Sequence, residues 1–444
     1  MIKKMTLTAL ASSAFLFSPT LFADSDLKQS VYEDNERLIE LFEHFHANPE
    51  IGFMEFESAK IIANELKQLG FEVHEGIART GVAAVLKNGE GPTVMFRADM
   101  DALPVKEETD LPYKSTNPTK DRFGNPIYAM HACGHDAHMT WLLGMAKQLT
   151  EAKEKWSGTI VLIAQPAEEL IMGATAMAKD GLFSKVPVPD ILIAGHVHPL
   201  LPEGSVSISD GRRMAGTDQI DVFIQGVGGH GSTPHVTKDP VVMASMSVLG
   251  YQTIMSRMVD QQQPAVLSVG AIESGSENNI IPDTATLKLN LRWYRTEDRD
   301  VMLKGIKQVT DNVARMYGVD EDNMPTYEMK GYSTPLINPT KESEIAKQAM
   351  IESLGEENVK LGFPPVMGSE DFHMLTYEYP EVPVLFVEVG AATQNTWDSF
   401  VEHGTFPKYT NHNPNFVVEQ GAIPTGTIAL TSVVKAFLNS EQAQ

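Results

Sequence analysis

At 444 residues, 42% hydrophobic and 21% charged, the chain is too long for one ordinary core and too evenly mixed to be disordered, so two domains are expected. The 35 Lys and Arg against 58 Asp and Glu give a net charge of −23. That balance repels phosphate backbones and anionic headgroups, no basic patch overrides it, and nucleic acid is not an expected partner.

Residues 1–23 read as a secretory signal peptide. Lys3 and Lys4 precede an apolar run from Met5 to Phe17, and Leu21-Phe22-Ala23 places small or neutral residues before Asp24. The run is shorter than the ~20 residues that span a bilayer, and no later segment reaches that length. Cleavage starts the mature chain at Asp24 and removes two lysines, taking the charge from −23 to −25. The expected product is exported to a bacterial periplasm and has no membrane span.

From Ser30 to Leu69 the apolar spacing is helical, with Asn48-Pro49 interrupting it, which predicts two helices. Short β-rich runs follow at Gly81–Leu86 and Thr93–Arg97, then a helix from His135, and strands at Thr159–Ala164 and Ile191–Gly195. Strands alternating with helices indicate an α/β fold with a mixed, largely parallel central sheet flanked by helices. Beyond Gly211 the texture changes: a strand at Gln219–Gln225, a helix at Pro240–Arg257, strands at Ala265–Glu273 and Thr284–Arg292, and a helix at Arg299–Tyr317. This is nearly a complete split-βαβ (ferredoxin-like) unit, which can fold alone. The α/β pattern resumes with a helix at Glu342–Leu354, a strand at Val384–Val389 and a helix at Ile423–Leu438. A smaller domain over residues 215–328 is therefore expected as an insertion in a larger one built from 24–214 and 329–444.

The densest chemistry is Met130-His131-Ala132-Cys133-Gly134-His135-Asp136-Ala137-His138, three imidazoles, a carboxylate and the only thiol within nine residues. As the single cysteine, Cys133 also rules out an intramolecular disulfide. A thiolate and an imidazole two apart can reach one metal ion or two adjacent ions. Gln165-Pro166-Ala167-Glu168-Glu169 follows an apolar strand, so paired carboxylates sit at the carboxyl end of a sheet strand, where open α/β sheets place their sites. One can bind metal while its neighbour takes a proton. His196-Val197-His198-Pro199 brings histidine to the end of a third strand.

Together with Arg97-Ala98-Asp99-Met100-Asp101-Ala102-Leu103-Pro104, Gly228-Gly229-His230, Asn279, Pro282-Asp283, Met367-Gly368-Ser369-Glu370-Asp371-Phe372 and His412-Asn413-Pro414, these runs resemble the hippurate hydrolase group. That group takes in N-acyl-amino-acid amidohydrolases and plant auxin-conjugate hydrolases, among the co-catalytic zinc peptidases related to aminoacylase and glutamate carboxypeptidase. The match runs in order over about residues 30–440 and includes the insertion point.

The resemblance implies that Cys133, His135, Glu169, His196 and His412 are the ligands of two divalent transition-metal ions, with the cysteine bridging, and that Glu168 is the general base. Zinc is the expected ion, with manganese, cobalt or nickel as the other options for this donor set. Asp99 matches a carboxylate that orients a ligand or the base. Arg97 stands where more distant relatives place a metal-binding histidine, and arginine cannot become a ligand. His230 matches a histidine that reaches the partner subunit's site and stabilises the oxyanion, which implies a homodimer joined through the inserted lid. Asn279 and Arg292 resemble residues that hold the substrate's carbonyl or carboxylate. His138 and His235 read as structural. The chain departs from the group's usual pattern at Gly231-Ser232 and at His198, which could compete with His196.

The expected reaction is hydrolysis of the amide joining an acyl group to an amino acid, by a metal-activated water. Cys133 as a nucleophile is the rival chemistry, and would leave the paired glutamates idle. A dipeptidase or carboxypeptidase would use the same centre, and a periplasmic solute-binding protein would share the architecture without needing ligands and a base.

Overall fold

The structure is a computed structural model that describes residues 23–360 and 362–439; of the expected leader only Ala23 falls within them. Helices α1 (Ala23–Glu33), α2 (Asn35–Ala47) and α3 (Phe56–Gln68) come first. Three helices stand where two are expected, because the chain breaks at Asp34. Its carboxylate holds Arg37 at 2.7 Å and the distant Lys147 at 2.6 Å. The break between α2 and α3 falls at Asn48, as proline at the next position requires.

Strands β1 (Glu72–Ile77), β2 (Gly81–Asn88) and β3 (Thr93–Asp99) lead to α4 (His135–Glu151), β4 (Gly158–Gln165), β5 (Ile191–Pro202) and β6 (Val206–Ser207). A second unit then intervenes: β7 (Gly216–Gln225), β8 (Gly229–His230), α5 (Pro240–Arg257), β9 (Ala265–Glu273), β10 (Ile280–Ile281), β11 (Thr284–Trp293), α6 (Thr296–Met316) and β12 (Thr326–Ser333). The first unit resumes with α7 (Thr340–Leu354), β13 (Val359–Lys360), β14 (Val384–Ala392), α8 (Gln394–His403) and α9 (Ala422–Leu438).

The main sheet has the order β1-β2-β4-β3-β5-β14-β6-β13. Its centre is parallel, β4 with β3, β3 with β5 and β5 with β14, while β1 with β2, β2 with β4 and β14 with β6 are antiparallel and β6 with β13 is again parallel. The central strands read as unbroken apolar runs because both faces are covered: every residue of β4 is buried, with one core against α2, α4 and α9 and another on the opposite face. Register then exposes the site. β3 pairs with β5 only as far as Arg97 with Ala194, whereas β14 stays paired along β5 through Gly390 with His198. Strand β5 therefore runs on to Pro202 instead of ending at Gly195, and His196 lies where β3 has already dropped away.

The inserted unit is a four-stranded antiparallel sheet, β9-β11-β7-β12, with α5 and α6 packed on it around a core of its own. This completes the split-βαβ unit. Its fourth strand, β12, lies at a sheet edge and is largely exposed, with Glu328 and Lys330 pairing on the surface. It lacks the apolar alternation by which strands are read from sequence, and the boundary expected at 328 falls inside it.

Candidate metal centre

The ligand types converge from four segments. Cys133 sits in the turn that enters α4, followed by Gly134 at φ 84°. A Cβ at Gly134 would lie 2.5 Å from Val197 Cγ2, so glycine is required both for the left-handed turn and for the close approach to β5. His135 is the first residue of α4 and is fully buried. Glu168 and Glu169 follow β4 through Ala167, a non-glycine residue at φ 51°. His412 also takes a positive φ, 70°. Both strained residues are pinned: Glu55 accepts the Ala167 N–H at 2.9 Å, and Ala132 O accepts that of His412 at 2.7 Å. Such outliers persist only where surrounding bonds over-determine them.

Two ligand groups result, Cys133-His135-His196 and Cys133-Glu169-His412, the ligand atoms of each lying within 4.8 Å of one another. They share the thiol. Cys133 Sγ is 3.5 Å from His196 Nε2, and Glu169 Oε1 is 3.4 Å from His412 Nε2 and 3.9 Å from His135 Nε2. Both ring nitrogens of His135 and Oε1 of Glu169 are buried without a hydrogen-bond partner. Buried polar atoms are normally satisfied, and a thiolate, imidazoles and a carboxylate aimed at common points form the donor set of borderline divalent ions. The residues fit two such ions.

The electrostatics agree. Burial and Glu169 push the Cys133 thiol up, but His196 and His135 outweigh them and hold it at about 6. Burial works against a charge on His196, yet Cys133 and Asp99 raise it to about 9. His412 is raised to about 10 by its bonds to Cys133 and Glu169. These shifts express a demand for positive charge at the centre. Burial raises both glutamates; Glu370, Glu169 and Asp371 add to the rise at Glu168, whereas His412 and His135 bring Glu169 below its usual range. One carboxyl is thus biased towards holding a proton and its neighbour towards remaining a carboxylate.

Behind the candidate ligands stands a buried polar frame, in which the motifs gave an orienting task only to Asp99. Asp101 accepts the backbone N–H groups of both Glu168 and Glu169 at 3.0 Å, fixing the direction of the pair. Arg97 gives its donors to Asp99 at 2.7 Å, to Glu370 at 2.9 and 3.2 Å, and to Gln165 at 2.8 Å. It offsets only part of the charge of the acidic group formed by Glu168, Glu370 and Asp371. Asp99 also bonds His138 Nδ1 at 2.6 Å, while His138 Nε2 accepts the Val197 N–H at 3.0 Å. Both nitrogens of His138 are used, as a structural residue requires. Asn411, missed from sequence, donates to Cys133 O at 3.4 Å; its position immediately before His412 was the available signal.

A cavity of about 410 Å3 opens over the centre, and Arg292 of β11 reaches it from the inserted unit. His230 and Asn279 do not line it. They lie exposed beside each other where β8 pairs with β10, with Gly231 N donating to Asn279 O at 2.8 Å. Ser232 N–H, at 3.1 Å, and its hydroxyl, at 2.7 Å, both meet His230 Nδ1, leaving Nε2 to carry the hydrogen. His235 is exposed in a short turn. His198 does not compete with His196: its Nδ1 accepts from Leu200 and Leu201, and its Nε2 faces Glu388.

A largely parallel sheet with two candidate ligand groups meeting at one cysteine, beside an inserted unit, is the arrangement of a metal-dependent hydrolase. The chain belongs to the family described as Peptidase family M20/M25/M40, matched over residues 95–418. The hippurate hydrolase of Campylobacter jejuni is 39% identical over 329 residues, 74% of this chain and 82% of that one. Thermostable carboxypeptidase 1 of Saccharolobus solfataricus is 32% identical over 421 residues, 93% of this chain and 98% of that one. Among solved structures, the YxeP protein of Bacillus subtilis, described as a dinuclear metal-binding peptidase of the M20 family, aligns with a TM-score of 0.68 and 25% identity over 92% of this chain and 99% of that one. The resemblance drawn from the motifs and the α/β fold class are thereby established, and the chain is an enzyme acting on amide bonds.

Proposed function

We propose that the protein is an exported amidohydrolase that cleaves the amide of N-acyl amino acids, hippurate-like or N-acetylated, with Glu168 as general base. The observation that carries this reading is the pair of ligand groups joined at Cys133, with Glu168 beside them and Arg292 across one cavity. Cys133, His135, Glu169, His196 and His412 would hold two divalent ions, zinc before manganese, cobalt or nickel. Bound there, the ions supply Lewis acidity that acidifies a water and polarises the acyl carbonyl. Glu168 accepts the proton of the attacking water and returns it to the leaving amine. Asp101 holds Glu168 in direction through the backbone, and Asp99 anchors His138 against β5. Arg292 takes the α-carboxylate through its fork of donors, and Asn279, exposed beside His230, would meet a substrate carbonyl only in the site of a second copy.

His230 completes the site from a second copy of the chain. In support, it lies outside its own cavity, its Nε2–H is free to meet an oxyanion, and its domain exposes Val242, Met246 and Leu249 along one face of α5, as a self-complementary contact would use. Export rests on the leader-like composition of residues 1–23, and no helix among the described residues is long and apolar enough to cross a membrane.

A carboxypeptidase or dipeptidase is the second reading, favoured by the likeness to thermostable carboxypeptidase 1 and by Arg292, which would serve a peptide's terminal carboxylate equally. Metal-loaded protein assayed on hippurate, N-acetyl amino acids and dipeptides, with amine release as the readout, separates the two. Release from N-blocked substrates that a chelator abolishes supports the amidohydrolase. Release only from substrates with a free α-amino group replaces it with the dipeptidase.

A further inference from the structure

One wall of the cavity has no task in the reaction as described. Past His196, strand β5 carries His198 and the adjacent β14 carries Glu388, and both side chains line the cavity. His198 Nδ1 accepts the backbone N–H groups of Leu200 and Leu201, each at 3.3 Å. That nitrogen therefore holds no proton, and the ring is a neutral imidazole with its hydrogen on Nε2. Phe363 packs against it, ring centroids 4.9 Å apart. Glu388 Oε2 accepts from the buried Arg213 at 3.1 Å, and Arg213 also donates to Phe363 O at 2.9 Å. The whole assembly is built into the fold rather than free on a surface.

His198 Nε2 and Glu388 Oε1 face each other across 4.0 Å. This is too far for a hydrogen bond, but a hydroxyl oxygen about 2.8 Å from each can accept from the imidazole and donate to the carboxylate, and a carboxamide can do the same with its oxygen and its N–H respectively. Arg213 and Glu388 cancel in charge and the imidazole is neutral, so nothing there compensates the desolvation of an ammonium or carboxylate on a substrate. A hydroxyl or carboxamide meets both groups without that cost. Arg292, on the lid, takes the amino acid's carboxylate and the scissile amide lies at Glu168. With Arg292 given the carboxylate and Glu168 the scissile amide, as proposed above, the acyl half is the part of the substrate left for the wall formed by β5 and β14 in the same cavity.

We infer that His198 and Glu388 form an acyl subsite that selects N-acyl amino acids whose acyl group carries a neutral hydroxyl or carboxamide. This rests on the amidohydrolase reading and narrows its substrate class.

The test is competition in one tube between matched substrates: N-(4-hydroxybenzoyl)glycine against hippurate, and N-(3-hydroxybutanoyl)glycine against N-butanoylglycine. The ratio of kcat/KM is independent of the fraction of active enzyme. With one hydrogen bond from a neutral imidazole and one to a carboxylate at stake, a preference of about tenfold or more for the hydroxylated member of at least one pair is expected. His198→Phe, which keeps the ring packing, and Glu388→Gln, which keeps the shape, should each bring that ratio towards one. Binding of the same pairs to metal-loaded Glu168→Gln protein, followed by calorimetry, reads the subsite without turnover, so failure of hydrolysis would count against the amidohydrolase reading alone. A ratio near one for both pairs in both assays overturns the inference. So does a preference that survives in both variants, or one that follows a hydroxyl on the amino-acid half, N-acetylthreonine over N-acetylvaline, instead of on the acyl half.

Discussion

Replacing His46 with phenylalanine tests how the metal-binding turn is tied to the rest of the core. His46, at the end of α2, is buried with Nδ1 2.7 Å from Asp136 Oδ2 and Nε2 3.1 Å from Glu107 Oε1. Asp136 directly follows the candidate ligand His135, and Glu107 also accepts the Ser115 N–H at 2.7 Å. Burial opposes a charge on the ring, but the two carboxylates prevail and raise it from 6.5 to about 9. At about 1.4 kcal/mol per tenfold change in proton affinity, that rise is worth about 3 kcal/mol of stability. Because the folded value is raised, the contribution is complete below about pH 6.5 and disappears as pH climbs through about 9. Burial works against ionisation of Asp136 and Glu107, yet their bonds to His46 lower both. Their contribution is lost only on the acid side, so the alkaline limb reports His46. Phenylalanine keeps the contacts with Tyr113 and Phe42, whose centroids lie 5.3 and 6.0 Å away, but takes the cation from two buried carboxylates and leaves them only their hydrogen bonds to neighbouring groups, at a cost of about 3–5 kcal/mol. Denaturant unfolding of wild type and His46→Phe near pH 6 and near pH 10 should show a gap that narrows by about 3 kcal/mol on going alkaline. Parallel curves across that range would refute a charged imidazolium at His46.

Glu168→Gln should keep its metal by elemental analysis while turnover falls by about 10²–10⁴, and Glu169→Gln should lose metal; the opposite pattern would reverse the two roles. Cys133→Ser should lower bound metal and activity together, since a hydroxyl ionises far less readily than a thiol held at about 6; unchanged metal content would show that the thiolate does not bridge. Mixing inactive Glu168→Gln with inactive His230→Ala should restore activity in verified heterodimers, which hold one site with both groups intact; no recovery would leave His230 acting within its own chain or as a structural residue.

Legibility from sequence followed the type of signal each residue carries. The central strands announced themselves because a parallel strand covered on both faces must be a continuous apolar run, as β4 is. Ligand candidates were visible because three imidazoles, a carboxylate and a thiol within nine residues have few other uses. Strand β12 was invisible for the opposite reason, since an exposed edge strand has no buried face to impose alternation. The length of β5 was missed because its extension depends on β14, almost two hundred residues later. Asp101, Glu370 and Asn411 sat inside or beside quoted motifs, but their tasks are bonds to backbone and to Arg97 that only the packed fold reveals. His198 looked like a possible ligand because spacing counts nitrogens and cannot say which way they point.

The stretch Val366–His373 shows why motif and mechanism need not coincide residue by residue. The chain enters the lid at Ala215, whose N–H donates to Gly368 O at 2.8 Å and whose carbonyl accepts from Ser369 Oγ at 2.7 Å. It leaves at Ser333 and Thr334, where Ser333 Oγ donates to Glu370 O at 2.7 Å and His373 Nε2 meets Thr334 O at 2.9 Å. One short loop therefore bonds both crossings of the lid. The same loop supplies Glu370, which grips Arg97, and Arg97 in turn grips Asp99. The loop that bonds both crossings of the inserted unit thus also carries Glu370 and Asp371, two of the causes of the raised proton affinity of Glu168. Bonds to both crossings and to Arg97, rather than membership of either group that meets at Cys133, account for the chemical specificity of this run.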